Sequence, residues 1–392
     1  MPTLKRRDFI PFIITTGIIE PSIGKGIPDS ILKINVPKYL DALNIHPINN
    51  KYENELLTEI IQSLIEKFTI LDFDDNIPFE YSLGQLVLQD NTSLVGNSIL
   101  KKLPNINTSI IQANNKNNIS IFINIDCNSQ EQKIDHADIW LENCLNVVLD
   151  SCCIKNGFGS IKSTYGSVTL KKCNGAFIGD GLRIENSKYD GLYLIDGADQ
   201  VVRGGIYSSC GYSGIATVGS ARVTLTQVVA INNGTSNITL NGPMNFAINC
   251  TGTGSKKNHG INIGHNKISN RADFTKVIGG YFANNAMFGV CILGGNIYSQ
   301  KNIELTDLVS CYNKIDGIKL ISTDSCFIKN VYSHSNYADG IRIDGVRISV
   351  IDSIISNNGR HGLNFDAFTK IHNIENNNIF GNLISDINYI KK

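Results

Sequence analysis

A short pattern recurs along the 392-residue chain, in which a glycine precedes an apolar–any–apolar triplet. The glycines are Gly191, Gly214, Gly260, Gly289, Gly317, Gly340 and Gly362. Their spacings of 23, 46, 29, 28, 23 and 22 residues indicate a repeat of about 23 residues with one doubled interval and two insertions. In each triplet the first and third residues should face the core and the middle one the outside, because side chains alternate along a strand. The pattern therefore predicts short strands stacked coil upon coil.

A column of asparagines stands four residues before a glycine in several of these units. Its members are Asn285, Asn313, Asn336, Asn358 and, before Gly381, Asn377. Stacked Asn side chains can hydrogen-bond from coil to coil in an in-register arrangement. A leucine-rich repeat would need a helical half-turn, and a propeller blade would need about 40 residues. We therefore predict an all-β, single-stranded, right-handed parallel β-helix.

One segment breaks the strand pattern near the start of the chain. Between Tyr52 and Phe68, apolar residues fall on one side of an amphipathic helix: Leu56, Leu57, Ile60, Ile61, Leu64 and Ile65. A solenoid must cover its open hydrophobic end, and we expect this helix to do so. The coils are expected to begin near Gln85 and to continue for some 12 or 13 turns.

Composition supports this fold and excludes several function classes. Strand-favouring Ile occurs 59 times and turn-favouring Asn 47 times, against only 14 Ala. With 35 basic and 35 acidic residues the net charge is zero, which argues against nucleic acid as a partner. Cys144, Cys152, Cys173 and Cys326 lie in alternating apolar runs, so we interpret them as buried thiols.

The first residues carry an export pattern. Arg6 and Arg7 are followed by Phe9 and by the apolar stretch Phe12 to Ile19, which is typical of a twin-arginine signal. The alternative is the basic start of a cytosolic protein. On the first interpretation the Tat translocase is a partner and the mature protein is periplasmic or secreted. The expected divisions are a signal segment (1–26), a linker with a helical cap (27–84) and the β-helix (85–392).

The paired arginines, the helix, the run from Gln85 to Gly96 and the Gly-Ile-x-Ile coils together resemble the Tat-translocated repetitive β-helix proteins. More broadly, the chain resembles the pectin-lyase-like superfamily of carbohydrate lyases, hydrolases and epimerases. The resemblance implies a right-handed β-helix outside the cytoplasm and a polysaccharide partner. It implies no particular reaction.

The densest group of titratable residues falls in the last coils, where equal offsets from the repeat glycine stack on one face. We take five residues as candidate catalytic groups: Asp316, Lys319, Asp339, Arg342 and His361. Three further residues are candidate substrate contacts: Asp344, Asn364 and Asp366.

Two kinds of enzyme fit this group. A uronate lyase or epimerase would use Lys319 or Arg342 to neutralise a sugar carboxylate and His361 as the acid or base. A hydrolase would use Asp316 and Asp339 as paired carboxylates. The remaining alternatives are ordinary turn and surface polarity and a non-catalytic protein that binds glycan or scaffolds the envelope. No motif for a metal or another cofactor is present.

Overall fold

The computed structural model describes residues 32–49, 51–52, 56–132, 136–158, 166–265, 271–295, 299–367 and 369–389. These residues form an all-β parallel solenoid of about 12 turns, which confirms the predicted parallel β-helix. Each coil contributes short strands to three faces, and every strand pairs in parallel with the same strand of the next coil. The predicted signal segment, including Arg6 and Arg7, lies outside the described residues.

The three faces are defined by their strands. Face 1 contains Leu86–Val87, Ile111–Asn114, Ile139–Glu142, Val168–Lys171, Leu192–Ile195, Ile215–Val218, Ile238–Asn241, Ile261–Ile263, Val290–Leu293, Ile318–Asp324, Ile341–Ile351, His361–Phe365 and Ser385–Tyr389. Face 2 contains Lys33–Asn35, Ile70–Asp72, Ser93–Lys102, Ser120–Asp126, Val148–Leu149, Phe177–Ile178, Val201–Arg203, Thr224–Thr226, Phe246–Ile248, Lys276–Ile278, Glu304–Thr306, Phe327–Lys329 and Lys370–Glu375. Face 3 contains Lys51–Tyr52, Glu80–Leu83, Cys153–Lys155, Arg183–Glu185, Ile206–Ser208, Val229–Ile231, Thr251–Thr253, Tyr281–Ala283, Val309–Cys311, Tyr332–His334, Ile354–Ser356 and Asn378–Phe380.

Three of these strands bend around corners of the solenoid. Ser93–Lys102 and Ser120–Asp126 continue from face 2 into face 3, and Ile341–Ile351 continues from face 1 into face 2. The end of Ile318–Asp324 pairs with the short strand Gln300–Lys301.

The register follows the predicted alternation. The inward positions Ile318, Leu320, Ile341 and Ile343 are fully buried, as expected from their places after the repeat glycines. Lys319 lies opposite Arg342 on the outer side, and Arg342 lies opposite Asn364. Because a slip of one residue would reverse inside and outside, this pairing fixes which side chains can meet a ligand.

The asparagine column is a continuous hydrogen-bonded ladder in the turn between face 3 and face 1. Its side-chain amides donate from coil to coil, Asn285 to Asn313 and Asn313 to Asn336 at 2.9 Å and Asn336 to Asn358 at 3.0 Å. The doubled interval in the sequence hides a coil in which Asn237 replaces the repeat glycine. Asn237 accepts from Asn233 and donates to Asn285, so it carries the ladder past a coil that has Ser255 in this place.

The predicted last member of the ladder is wrong. Asn358 donates to Asn382, not to Asn377, over 2.9 Å. Asn377 instead lies in the turn between faces 2 and 3, where it donates to the Val350 carbonyl. The count failed because Gly381 is a turn residue with φ +68°, whereas the final strand of face 1 begins only at Ser385.

Two short helices precede most of the coils. Helix α1 (Val36–Ala42) begins after Asn35, whose side chain accepts from the Lys38 N–H, and it lies in the stretch expected to be a linker. Helix α2 (Leu57–Ile65) is shorter than the predicted 52–68, because Lys51–Tyr52 is a strand of face 3.

Helix α2 covers the open edge of face 1. The Gln62 side chain donates to the Val87 carbonyl over 3.0 Å and accepts from the Val87 N–H over 2.8 Å. The Gly84 N–H likewise donates to the Thr58 hydroxyl. The side chains of α2 thus satisfy backbone groups that an exposed edge strand would leave unpaired.

The cysteines follow the sequence prediction. Cys144, Cys152, Cys173 and Cys326 are buried free thiols. In the part of the chain that the structure describes, neither helix has the length and apolarity needed to cross a bilayer.

Candidate functional site

The candidate site lies on the outer side of face 1 in the last coils. The strands after Gly317, Gly340 and Gly362 each present one residue just before the glycine and one two positions after it. The first column contains Asp316, Asp339 and His361, and the second contains Lys319, Arg342 and Asn364. Because coils are about 4.8 Å apart, neighbours within a column are in direct reach of one another.

Asp366 is the meeting point of the two cations. Lys319 Nζ lies 3.1 Å from Asp366 Oδ2, and Arg342 Nη2 lies 3.1 Å from Oδ1. Partial burial by itself would raise the pKa of Asp366, but Lys319 and Arg342 outweigh it and hold that pKa below its usual value. Lys319 points outward as predicted, yet it is only 7% exposed because it lies folded against this carboxylate.

Arg342 is the more accessible of the two cations. Its side chain is 34% exposed, and both bonding nitrogens, Nε and Nη2, are directed at Asp366 Oδ1. Burial acts to lower the pKa of Arg342, and Asp366 reverses this and raises it. Arg342 therefore stays charged while part of its guanidinium faces solvent.

Asp316 and Asp339 stand in neighbouring coils but in different surroundings. Both are buried, and Asp316 Oδ1 accepts the Asp339 N–H over 2.9 Å. Burial, with the negative charge of Asp339 nearby, raises the pKa of Asp316 to about 6. The oxygens of Asp339 accept from the Asn364 side chain over 2.6 Å and from the His361 N–H over 3.2 Å.

His361 and Asn364 connect the site to the last coil. His361 Nδ1 lies 2.7 Å from the Ser385 hydroxyl. Asn364 accepts from Asn388 over 3.0 Å while it donates to Asp339. Both contacts place the two residues in fixed orientations beside the charged group.

The structure brings seven of the eight predicted site residues into this group and leaves one apart. Asp344 lies at the corner of the solenoid, where its carboxylate accepts the Ser322 N–H over 3.2 Å. Sequence reasoning missed Arg360, whose Nε lies 3.8 Å from Asp339 Oδ1, and Ser385. The position of Ser385 opposite His361 was hidden by the same miscount at Gly381.

An earlier part of face 1 carries a third carboxyl, Asp190, in the column that holds Asp316 and Asp339. Asp190 accepts the Ser213 N–H over 2.7 Å, and loss of hydration raises its pKa to about 6. Between this acid and those of the last coils, His259 stacks on Phe288 with ring centroids 4.9 Å apart, and burial lowers the pKa of His259 to about 4. Among the described residues, neither Asp190 nor His259 forms an ion pair, in contrast to the group around Asp366.

This arrangement provides three chemical elements within neighbouring coils. Arg342 offers a fixed cation at the surface, Asp316 offers a carboxyl that titrates near neutral pH, and His361 offers an imidazole held by Ser385. The described residues contain no group of three or more His, Cys, Asp or Glu side chains that could hold a metal ion.

No protein-family model and no curated protein sequence matches the chain. Solved structures do share its fold. The A-module of the mannuronan C-5 epimerase AlgE4 of Azotobacter vinelandii superposes with a TM-score of 0.54 and 14% identity over 84% of this chain and 95% of that chain. The periplasmic alginate epimerase AlgG gives 0.50 and 12%, over 91% and 83%. An exopolygalacturonase of Thermotoga maritima gives 0.50 and 10%, over 90% and 93%. At these identities the similarity establishes one thing, a shared parallel β-helix fold.

Proposed function

We propose that this protein acts on an acidic polysaccharide that lies along face 1, with the reaction centre in the last coils. The observation that carries the proposal is the convergence of Lys319 and Arg342 on Asp366, beside a carboxyl whose pKa is about 6. A carboxylate of the sugar can pair with the solvent-facing part of Arg342 through charge-assisted hydrogen bonds. Asp366 keeps that cation in place before the sugar arrives.

The environment of Asp339 favours a lyase or epimerase over a hydrolase. A retaining hydrolase would need two carboxylates that both reach the sugar, but Asp339 is fully buried and its oxygens already accept from Asn364 and His361. Removal of the proton beside a sugar carboxylate needs one base and one cation. Ionised Asp316 or neutral His361 would take that proton while Arg342 offsets the negative charge that develops on the carboxylate. The other of these two groups, in its protonated form, would complete the reaction: it would give a proton to the opposite face of the same carbon in an epimerase, or to the departing glycosidic oxygen in a lyase.

The similar structures support a polysaccharide partner. Two of them are named as epimerases of mannuronan or alginate, and one as an exopolygalacturonase. Extending that class of polymer to this chain is part of our proposal, because identities of 10–14% establish the fold alone.

The second candidate is a protein that binds acidic glycan without changing it. It is favoured by the low exposure of Asp316 and by the pairing of Lys319 and Arg342 with Asp366, which leaves little of either cation unsatisfied. In that case face 1 would serve as a ladder for repeating sugars, and the protein would scaffold the envelope.

A screen against alginate, polygalacturonate and hyaluronate separates these candidates. Absorbance of an unsaturated product detects a lyase, proton NMR of the polymer detects an epimerase, and reducing ends detect a hydrolase. We expect Arg342→Ala, His361→Ala and Asp316→Asn to abolish any activity while the fold is kept. Arg222→Ala is the matched control, since Arg222 pairs with Asp199 on the exposed surface of an earlier coil.

Binding without any product would favour the second candidate. A detected activity that all three substitutions leave unchanged would refute the site.

We also propose export to the periplasm or beyond by the Tat translocase, with 1–26 as the signal segment. The working solenoid then includes the strands before residue 85, because Lys33–Asn35, Ile70–Asp72 and Glu80–Leu83 already pair in parallel with the next coil. Replacement of Arg6 and Arg7 by lysine should retain the protein in the cytoplasm of a Tat-competent host, as measured by fractionation. Unchanged export would refute this route.

A further inference from the structure

The later coils of face 3 carry no charged residue at the outer positions of their strands, unlike its earlier coils, which include Lys155, Arg183 and Glu185. Each of its three-residue strands from Ile206–Ser208 to Asn378–Phe380 points its middle residue inward and leaves two flanking positions. None of these sixteen flanking positions carries Asp, Glu, Lys or Arg. Charged residues make up 18% of the chain, so a surface of this size without any is a distinct feature.

Exposed rings concentrate on the later coils of this face. We define the aromatic strip as Tyr281, Tyr312, Tyr332, His334, Ile354 and Phe380. Tyr312 is 55% exposed, Tyr332 38% and Phe380 45%. Exposed apolar patches of about this size are often functional surfaces.

The rings of the strip hold one another in place. His334 stacks on Tyr332 with centroids 4.1 Å apart and meets Tyr312 edge-on at 5.5 Å. Tyr281 and Tyr332 are two coils apart in one register column, with Val309 between them. At about 4.8 Å per coil, their spacing is about 10 Å, which is the length of a disaccharide in an extended glycan.

The size and charge of the strip identify the kind of occupant. At roughly 200 Å² per aromatic side chain, the exposed fractions give roughly 400 Å² in all, about half of the ~800 Å² per partner that a stable protein interface buries. A uronate polymer would lose the hydration of its carboxylates there without gaining a cation. An uncharged sugar would instead stack its C–H face on the electron-rich ring faces and bond to the hydroxyls of the tyrosines.

We propose that the aromatic strip binds an uncharged glycan chain that runs parallel to the solenoid axis. This site is separate from the acidic-polysaccharide site of face 1 and does not depend on it. A protein with both sites would hold a neutral polymer on one side and reach an acidic polymer with the other.

Titration calorimetry with hexasaccharides of β-1,4-glucose, β-1,3-glucose and β-1,4-mannose tests the proposal. At least one should bind, and Tyr281→Ala with Tyr332→Ala should weaken that binding about tenfold or more. Tyr332→Phe should retain most of it, because the ring remains. Tyr212→Ala removes a similarly exposed tyrosine outside the strip and should change nothing, and neither should Arg342→Ala.

Three results would overturn the proposal. The first is that none of the three oligosaccharides binds the intact protein. The second is binding that survives the double substitution. The third is a dimer, measured by sedimentation, that the double substitution dissociates, since the strip would then join two copies of the chain. Loss of the face 1 activity alone would bear on the proposed function and not on the strip.

Discussion

Face 1 and face 3 of the last coils are built from the same turns of the same backbone, yet their outer surfaces are opposite in character. On face 1, Lys319 and Arg342 both form ion pairs with Asp366, and Asp316 and Asp339 accept hydrogen bonds from neighbouring coils. Face 3 presents rings and no charge. The inward residues and the turns specify the fold for both, so the outward residues of each face are available for separate tasks.

The two surfaces should also differ in what their residues contribute to stability. The polar groups of face 1 are desolvated, so removing the hydrogen-bonding partner of one of them should destabilise the fold. Truncating an exposed ring of face 3 should lower the free energy of unfolding by less. Substitutions on face 1 are therefore expected to cost more than substitutions on face 3.

The largest expected effect is the pH dependence that Asp316 confers on face 1. Its pKa is about 6 in the folded protein and near 3.9 in the unfolded chain. The folded state therefore binds the proton more tightly than the unfolded chain. The stability that this preference contributes is lost as pH rises from about 4 to about 6. At about 1.36 kcal/mol per unit, the wild type should lose about 3 kcal/mol across this window relative to Asp316→Asn.

Urea unfolding of the two proteins at pH 4, 5, 6 and 7 measures this difference. Asp352→Asn, at an exposed turn carboxylate, serves as the control and should run parallel to the wild type. If the free energy of unfolding of Asp316→Asn fell with pH as steeply as that of the wild type, the assigned environment of Asp316 would be contradicted.

Asp366→Ala comes next, because it removes the shared partner of two cations. Lys319 would remain covered without an anion, so we expect a loss of about 2–3 kcal/mol in the free energy of unfolding at pH 7. Asp180→Ala is the matched control, since that carboxylate is 69% exposed and 4.0 Å from Arg203, with an expected change below about 0.5 kcal/mol. Equal effects of the two substitutions would show that the pairing on face 1 is only surface polarity.

A substitution in the Asn ladder, in the turn between face 3 and face 1, should lower the free energy of unfolding by an intermediate amount. Asn336→Ala interrupts the ladder: the buried Asn313 N–H loses its acceptor, and the Asn313 side-chain amide keeps only the Phe282 carbonyl and the Ser310 hydroxyl. This should cost about 2 kcal/mol. Asn378→Ala removes an exposed asparagine from a strand of face 3, and should be nearly neutral. A neutral Asn336→Ala would mean that the coils are held by apolar burial alone.

The smallest effect is expected on face 3. Tyr332→Ala should lower the free energy of unfolding by about 1 kcal/mol, because the ring is 38% exposed and loses mainly its stacking on His334. Thermal unfolding followed by circular dichroism measures it. A loss above about 2 kcal/mol would assign the ring to packing and weaken the contrast between the faces.

The parts of this architecture that follow a local period could be predicted from the sequence. Ile318 and Ile341 are recognised as core residues because the glycine and the alternation repeat in every coil. The end of the Asn ladder could not be placed, because Gly381 resembles a repeat glycine in sequence but serves as a turn residue with positive φ. The repeat length indicates which coil a residue belongs to, but not which of the connections between faces it occupies.

The sequence predicted which residues lie together in the site, but not which partners they contact or how deeply they are buried. Column offsets placed Lys319 near Arg342, but they gave no sign that both would turn to Asp366 or that Asp339 would be fully buried. Those outcomes depend on side-chain rotamers and on Arg360, which lies outside the two columns. Asp344 shares its offset with Asp366, yet a change in register at the corner takes it out of the group.

The most direct test of the division between the faces is a reciprocal calorimetric titration. An oligouronate and the neutral hexasaccharide that binds best would each be titrated into the wild type, Arg342→Ala and Tyr332→Ala. We predict that Arg342→Ala weakens only the oligouronate, and Tyr332→Ala only the neutral sugar, each by about tenfold or about 1.4 kcal/mol. Unchanged oligouronate affinity in Arg342→Ala, or the loss of both ligands in either variant, would contradict the account.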